Sequence, residues 1–183
     1  DWLIKREKAE IVALCDLDQK NIDYALNYLA KKQKVIPKTF ANGKNDWENL
    51  AKLEEVDMLL IATPWEWHTP MALFGMENGK HVASEVPIAY TMEDCVKLVQ
   101  TTERTKKHCI MIENCCYNRE ELWIMNMIQE GVFGELTHAE CAYNHDLRAL
   151  LLHETYYKNQ WRMKHHTERN GNFYTTHGIG PVS

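Results

Sequence analysis

The stretch Val56-Asp-Met-Leu-Leu-Ile-Ala-Thr-Pro-Trp-Glu-Trp-His68 is the part of the sequence that decides the fold. Its apolar residues follow one another from Met58 to Ala62 without alternation, a pattern typical of a parallel strand that is covered on both faces. Two tryptophans and a histidine come directly after this strand. An amphipathic helix at about residues 19–34 and a short helix near residues 46–53 are predicted before it, and another helix at about residues 68–78 follows it, so strand and helix alternate here.

The same alternation extends through most of the chain. Further strands are predicted at residues 10–16, 80–85 and 109–114, each followed by a helical segment. Right-handed crossovers place the helices of such a pattern on both faces of one parallel sheet. We therefore predict an α/β fold, with a Rossmann-type doubly wound parallel sheet over residues 1–117. A longer alternating strand at residues 136–144 and a loop-rich segment follow, so residues 118–183 are predicted to begin an α+β substrate domain.

Composition excludes several classes of protein. The chain has 183 residues, of which 45% are hydrophobic and 26% charged, so it can bury a core and is not disordered. Lysine and arginine total 21 against 26 acidic residues, giving a formal net charge of -5, and nucleic acid is therefore not expected as a partner. The apolar runs are too short to span a membrane. The sequence predicts no particular compartment.

Cysteine and histidine spacing gives no sign of a metal centre. The six cysteines lie in apolar stretches without regular spacing, which favours buried thiols over a disulfide framework or a zinc knuckle. His165, His166 and His177 lack the paired spacing of a zinc site. No metal ligands are therefore predicted.

Asp16 lies at the tip of a predicted strand, where an acid can accept hydrogen bonds from the ribose hydroxyls of a dinucleotide. Its charge repels a 2′-phosphate and so favours NAD over NADP. An alternative is that Asp16 is an ordinary turn residue, since aspartate is common after strands. The first strand and the glycine-rich loop that precede such an acid are expected upstream of residue 1.

The Trp65-Glu-Trp-His68 segment has two interpretations. Large flat rings at the carboxyl end of a parallel strand lie where ligands bind in this architecture, and they could wall a nicotinamide ring. Alternatively, both tryptophans pack beneath a neighbouring loop. His68 could equally be a residue of the helix N-terminus that donates to a nearby carbonyl.

Three motifs at predicted strand ends resemble the Gfo/Idh/MocA family of NAD(P)-binding proteins. They are Asp16, Ala62-Thr-Pro64 with His68, and Glu85-Val-Pro87. In ordinary dehydrogenases of that family the third motif reads Glu-Lys-Pro, and its lysine polarises the reacting carbinol. This chain has Val86 there, and valine cannot hydrogen-bond a sugar hydroxyl or stabilise an alkoxide. The substitution weakens the case for net dehydrogenation.

The rest of the chain is similar to glycoside hydrolase family 109, the NAD-dependent α-N-acetylgalactosaminidases. The string Arg169-Asn-Gly-Asn-Phe-Tyr-Thr-Thr-His-Gly-Ile-Gly-Pro181 is the most specific part of this likeness. One departure is visible, because the family usually has proline where this chain has Thr175. Further matching strings are Glu113-Asn-Cys-Cys-Tyr117, Gly131-Val-Phe-Gly-Glu-Leu136, Tyr143-Asn-His-Asp-Leu-Arg148 and Trp161-Arg162.

The resemblance also implies roles for individual residues. Tyr143 is the first candidate for proton transfer and His177 the second. The cofactor NAD is implied at Asp16, Pro64, Trp65, Glu66, Trp67, His68, Glu85, Val86 and Asn114. The sugar is implied at Tyr143, Arg162, Tyr174, Thr175, Thr176 and His177.

The implied activity is hydrolysis of α-N-acetylgalactosaminides by oxidation, elimination, addition and reduction with a retained NAD. The partner is then a small molecule or glycan that ends in N-acetylgalactosamine, and the C-terminal domain is the surface through which a homo-oligomer would form. One alternative is a net sugar oxidoreductase of the Gfo/Idh/MocA type. Another is a non-catalytic binding relative, or a fragment without activity of its own.

Overall fold

The computed structural model describes residues 4, 9–173 and 175–183, and its contacts divide the chain into two compact units. The first unit comprises the described residues up to 61 together with 70–83 and 96–109. The second comprises residues 62–69, 84–95 and 110–183, with residue 174 outside the described part. Each unit is therefore assembled from separated stretches of sequence.

Strands and helices alternate through the first two-thirds of the chain, as the sequence predicts, and the structure adds a strand at Lys38–Phe40 that was not predicted. The strands are β1 (Ala13–Cys15), β2 (Lys38–Phe40), β3 (Met58–Ile61), β4 (His81–Ser84) and β5 (Cys109–Met111). The helices between them are α1 (Gln19–Leu29), α2 (Trp47–Ala51), α3 (His68–Glu77) and α4 (Met92–Thr105). No helix among the described residues is long and apolar enough to cross a membrane.

Hydrogen bonds join these strands into two parallel sheets. In one, β1 pairs with β2, and Ala13 lies opposite Lys38. The other has the order β3-β4-β5. The bonds from Val82 N to His108 O (2.8 Å) and from Ile112 N to Ser84 O (2.8 Å) advance in the same direction along β4 and β5, as in a parallel pair. The predicted Rossmann-type α/β class is confirmed.

Strand β3 differs from its prediction. Leu59 and Ile61 are buried, at 8% and 4% exposure, but Met58 and Leu60 are 50% and 65% exposed. Successive side chains of a strand point to opposite faces, and the described residues cover only one face of β3. The expectation that both faces are covered is wrong for this chain.

Helix α3 packs closely on β3 within the first unit. A Cβ atom built on Gly75 would lie 2.5 Å from Leu59 Cδ1, so no larger residue fits there without a shift. Ala72 and Met76 are buried on the same helix. This packing fixes the helix whose N-terminal end follows the Trp-Glu-Trp segment.

The cysteines are less buried than the sequence predicts. All six are free, but Cys15, Cys95 and Cys141 are exposed, so the prediction of buried thiols is wrong for these three. Cys15 ends β1, Cys95 lies in the first turns of α4, and Cys141 lies in a loop. Burial and the charges of Asp46 and Asp16 nevertheless raise the pKa of the Cys15 thiol to about 11.

The C-terminal part of the chain is helical and loop-rich. Its helices are α5 (Arg119–Gln129), α6 (Arg148–Leu151), α7 (Trp161–Glu168) and α8 (Thr175–Val182). The strand predicted at residues 136–144 is not formed: these described residues are exposed and irregular. An alternating sequence forms a stable strand only where a neighbouring strand supplies hydrogen-bond partners, and none of the described segments does so here.

Candidate functional site

Asp16 follows β1 directly and is held in a turn of the first unit. Its Oδ1 accepts a hydrogen bond from Asp18 N at 2.7 Å, and its Oδ2 accepts one from Asn21 Nδ2 at 2.9 Å. The hydrogen bond from Asp18 N stabilises a turn, and an ordinary turn residue was the alternative interpretation of Asp16. A carboxylate oxygen has two lone-pair sites, so both oxygens retain acceptor capacity for a ligand hydroxyl.

His68 lies at the start of α3 in the second unit and is 1% exposed. Its Nδ1 lies 2.7 Å from Pro87 O and its Nε2 lies 2.7 Å from Thr63 O. The neighbouring Thr69 hydroxyl donates to Ile88 O at 2.9 Å. The helix N-terminus therefore ties the loop after β3 to the loop after β4, where Val86–Pro87 is a cis peptide bond. Contact with backbone carbonyls is the alternative that the sequence left open for His68.

Trp65 is buried at 3% exposure within a 3₁₀ turn, Trp65–Trp67. Its ring packs edge-on against Trp161 at 5.4 Å and tilted against His165 at 4.9 Å, between ring centroids. Phe173 stacks on it at 6.3 Å. We call Trp65, Trp161, His165 and Phe173 the tryptophan cluster. It matches the interpretation in which the ring packs beneath other segments, and a nicotinamide contact by Trp65 stays a prediction.

Most of the other residues that are predicted to hold NAD are more accessible than Trp65 and His68. Trp67 and Pro64 are half-buried, while Glu66, Glu85 and Asn114 are exposed at strand ends. Val86 is buried at 8% exposure, which leaves its aliphatic side chain within the loop after β4. Glu66 Oε2 also lies 3.8 Å from His165 Nε2.

Burial shifts the pKa values of two neighbouring histidines on α7. Burial and the positive charge of Arg169 hold the pKa of His165 below its ordinary value, although Glu66 opposes this. Burial and the charge of Arg162 lower the pKa of His166 in the same way. Both imidazoles are therefore favoured in the neutral form.

Glu113 and His177 form a buried pair that sequence reasoning missed. Glu113 Oε1 lies 2.6 Å from His177 Nδ1, and the side chains are 5% and 8% exposed. The same oxygen accepts a hydrogen bond from Cys115 N at 2.9 Å. Burial alone would raise the pKa of Glu113, but the hydrogen bonds from Cys115 N and His177 help to leave that pKa lowered. The residues are 64 positions apart, so no local motif could join them.

Tyr143 connects this pair to a cavity. Its ring lies 4.5 Å from that of His177, between centroids, and its hydroxyl lies 3.4 Å from His145 Nδ1. The cavity has a volume of about 220 Å³ and is lined by Tyr143, His145, Leu147, His166, Gly171, Asn172 and Phe173. The two residues that the sequence singles out for proton transfer are thus adjacent in the second unit.

The other described residues of the predicted sugar site lie on α7 and at the start of α8, and they are not among the residues that line this cavity. Arg162 is 8% exposed, donates from Nη1 to the Tyr157 hydroxyl at 2.6 Å and lies 5.2 Å from the Trp65 ring. Thr175 is exposed and Thr176 half-buried at the start of α8. Tyr174 lies outside the described residues. A sugar contact by Arg162 stays a prediction.

Glu113, Cys115 and His177 also form a group with the donor types of a metal site. One ligand atom from each lies within 4.8 Å of the others. However, the 2.6 Å between Glu113 Oε1 and His177 Nδ1 is the length of a charge-assisted hydrogen bond. Two ligands at about 2.0–2.2 Å from one tetrahedral zinc ion would lie farther apart than that. We therefore treat the group as a hydrogen-bonded pair beside a thiol.

Comparison with known families divides the chain into two parts. Residues 1–113 match the family described as "Oxidoreductase family, NAD-binding Rossmann fold", and residues 117–183 match "Glycosyl hydrolase 109, C-terminal domain". A glycosyl hydrolase family 109 protein from Shewanella sp. (strain W3-18-1) is 46% identical over 177 residues. The alpha-N-acetylgalactosaminidase from Shewanella oneidensis is 44% identical over 177 residues. Each alignment covers 97% of this chain, which spans 39% of the length of these relatives.

Solved structures share the fold. The WlbA dehydrogenase from Bordetella pertussis, crystallised with NADH and UDP-GlcNAcA, superposes with a TM-score of 0.60. The match covers 72% of this chain and 35% of that chain, at 22% identity. Identity at this level supports the shared fold alone.

Proposed function

Because this chain belongs to the Gfo/Idh/MocA oxidoreductase family and, within it, to glycosyl hydrolase family 109, we propose that the protein is an NAD-dependent glycosidase. Its substrate is a glycan or small molecule that ends in α-N-acetylgalactosamine. The observation that carries the proposal is the contact of Tyr143 with His177 beside a cavity in the second unit. That contact brings two residues with ionisable protons to one place where a small polar ligand fits.

The residues at the strand ends fit NAD by their chemistry. Asp16 retains acceptor capacity on both carboxylate oxygens, which suits the two hydroxyls of the adenosine ribose. Glu85 and Asn114 are exposed after β4 and β5, where they can hydrogen-bond a ligand. Pro64, Glu66 and Trp67 follow β3, and buried Trp65, His68 and Val86 shape the loops that carry the exposed groups. When bound, NAD supplies an acceptor for hydride from C3 of the sugar and returns it at the end of the cycle.

The chain's own residues handle protons and orientation. Oxidation of C3 to a ketone acidifies the proton on C2, and a base must then remove it for the aglycone to leave by elimination. We propose that Tyr143, which lines the cavity and whose ring contacts that of His177, transfers this proton with the imidazole beside it. The cavity has a volume of about 220 Å³. Sites for drug-sized ligands typically have about 300–1,000 Å³, so this smaller cavity suits a single sugar unit.

The position of Val86 favours a glycosidase over a net dehydrogenase. Its aliphatic side chain is 8% exposed and offers no donor to a carbinol oxygen. A net sugar oxidoreductase is the second candidate, because residues 1–113 match an oxidoreductase family. Release of free NADH in proportion to consumption of a simple sugar would favour that candidate.

The test is a solvent-isotope experiment. The protein is incubated with NAD and an aryl α-N-acetylgalactosaminide in D₂O, and the released sugar is examined by NMR for deuterium at C2. Release with deuterium is the expected result, because elimination exchanges the C2 proton with solvent. Release without deuterium would mean direct hydrolysis and would overturn the mechanism. Absence of release would favour the oxidoreductase or a binding protein.

A tyrosine variant separates chemistry from binding in the same assay. Tyr143→Phe retains the ring that packs against His177 but removes the hydroxyl. We expect its turnover to fall by about 10²- to 10⁴-fold, the usual contribution of a general acid or base, with NAD affinity little changed. Normal turnover by the Tyr143→Phe variant would remove Tyr143 from the mechanism.

A further inference from the structure

Glu113 is a buried acid to which neither the sequence motifs nor the related proteins give a role. Glu113 lies directly before the 3₁₀ turn Asn114–Cys116, and its side chain caps that turn by accepting from Cys115 N. Its own backbone N–H donates to Met111 O at 3.0 Å. Both ends of the residue are therefore held, and the carboxylate has a fixed position in the second unit.

The short contact from Glu113 to His177 determines which imidazole nitrogen carries a proton. An ionised carboxylate accepts hydrogen bonds and cannot donate them. The 2.6 Å contact therefore requires the proton to lie on His177 Nδ1. In the neutral ring Nε2 is then the nitrogen that can accept a proton, as in triads where a buried acid orients a catalytic histidine.

The packing of α8 holds His177 against this acid. A Cβ atom on Gly180 would lie 2.6 Å from Cys116 Sγ, and one on Gly178 would lie 3.0 Å from Cys141 Sγ. Glycines at these two positions thus allow α8 to approach the 3₁₀ turn and the loop closely. The titratable groups on the neighbouring elements are Glu113, Cys115, Cys116, Glu121, Cys141, Tyr143 and His145.

We propose that Glu113 is a positioning residue, which holds His177 with its proton on Nδ1, so that Nε2 is the nitrogen that takes up a proton when the imidazole acts as a base beside Tyr143. The part of His177 in proton transfer rests on the proposed glycosidase function. The placement of the proton on His177 itself depends only on the geometry of the pair. Glu113 acts through His177 and needs no contact with the sugar.

The first readout is spectroscopic and requires neither NAD nor sugar. The protein is labelled with ¹⁵N-histidine, and the His177 resonances are assigned by their loss in His177→Gln. We expect wild type to show the Nδ1-protonated form, and Glu113→Gln to populate the other tautomer, because the anion that accepts from Nδ1 is gone. Glu121→Gln is the matched control, since Glu121 bonds Asn118 and not His177. Unchanged His177 resonances in Glu113→Gln would overturn the proposal.

The second readout is the kcat of the glycosidase, measured separately from its KM. Loss of the group that hydrogen-bonds a metal-ligating histidine typically costs about 10- to 100-fold, and we expect a fall of similar size in kcat for Glu113→Gln, with little change in KM. Part of the lost kcat should return in Glu113→Asp, which keeps the carboxylate. A wild-type kcat in Glu113→Gln would contradict the proposal. The two proposals can also fail separately. If Glu113→Gln changes the tautomer of His177 but the wild-type protein releases no sugar, the glycosidase proposal is contradicted and the role of the Glu113–His177 pair is supported.

Discussion

At the scale of single residues, we propose that the carboxylate of Asp16 determines whether the protein prefers NADH or NADPH. Removing the charge of Asp16 in Asp16→Asn should weaken NADH binding by about 10- to 100-fold, since hydrogen bonds to charged groups contribute about 1.5–3 kcal/mol. NADPH should lose less, because the repulsion of its 2′-phosphate is also removed. Fluorescence titration with NADH and with NADPH measures the ratio of their two dissociation constants.

Asp23→Asn is the control for the Asp16 variant. Asp23 is an exposed acid on α1 that accepts a hydrogen bond from Gln19 at 2.8 Å. The control variant should bind both nucleotides as wild type does. If the Asp16→Asn variant retains the wild-type preference for NADH, then Asp16 only stabilises the turn after β1.

The two tryptophans of the strand-end motif should differ in their effect on stability. Trp65→Ala empties the centre of the tryptophan cluster and should lower the free energy of unfolding by about 3–5 kcal/mol. Trp67→Ala truncates a half-buried ring and should cost clearly less. Urea unfolding followed by circular dichroism measures both. Equal losses for the two variants would contradict the buried position of Trp65.

Sequence reasoning located these side chains but not their surroundings. The position of Trp65 and His68 after a strand follows from local periodicity, and the structure agrees. Their burial depends on Trp161, Phe173 and Pro87, which are distant in sequence, and no pattern near residue 65 encodes those contacts. The Glu113–His177 pair was missed for the same reason, although a histidine in a specific motif was a signal to search for an acid partner.

At the scale of elements, the close approach of α8 to the 3₁₀ turn depends on Gly180. Gly180→Ala places a Cβ atom 2.6 Å from Cys116 Sγ, and overpacking of this kind costs about 1–3 kcal/mol. We expect a lower free energy of unfolding in urea and altered His177 resonances. The double variant Gly180→Ala, Cys116→Ala removes the clashing sulfur and should recover much of the loss. Failure of that rescue would show that the two elements do not meet there.

Two elements show where periodicity ceases to be informative. The continuous apolar run of β3 predicts burial on both faces, yet Met58 and Leu60 are exposed. The alternation at residues 136–144 predicts a strand, yet this segment is irregular. Periodicity reports which faces of an element are apolar, while coverage and hydrogen bonding depend on neighbouring segments. Helix α3 (His68–Glu77) was predicted well, at about residues 68–78, because the hydrogen bonds of a helix are local.

At the scale of the whole molecule, the sequence predicted two successive domains, whereas contacts group the chain differently. Residues 62–69 and 84–95 belong with residues 110–183 in the second unit. The Trp65 contacts with Trp161 and Phe173 show why, since an aromatic residue of the strand-end motif packs on the C-terminal segment. Family matches still divide the chain between residues 113 and 117. A boundary in sequence similarity therefore need not be a boundary in packing.

The stability of the molecule should depend on pH through the two adjacent histidines on α7. Burial and neighbouring cations hold the pKa of His165 and of His166 below the ordinary value of 6.5. Below that value the unfolded chain binds more protons than the folded protein, so the free energy of unfolding falls as the solution is acidified. Urea unfolding at several values between about pH 5 and pH 8 should show this decline. His165→Gln and His166→Gln should each flatten it, whereas His138→Gln, in an exposed loop, should leave the slope as in wild type. If the decline is unchanged in a variant that carries both His165→Gln and His166→Gln, then groups elsewhere in the molecule cause it.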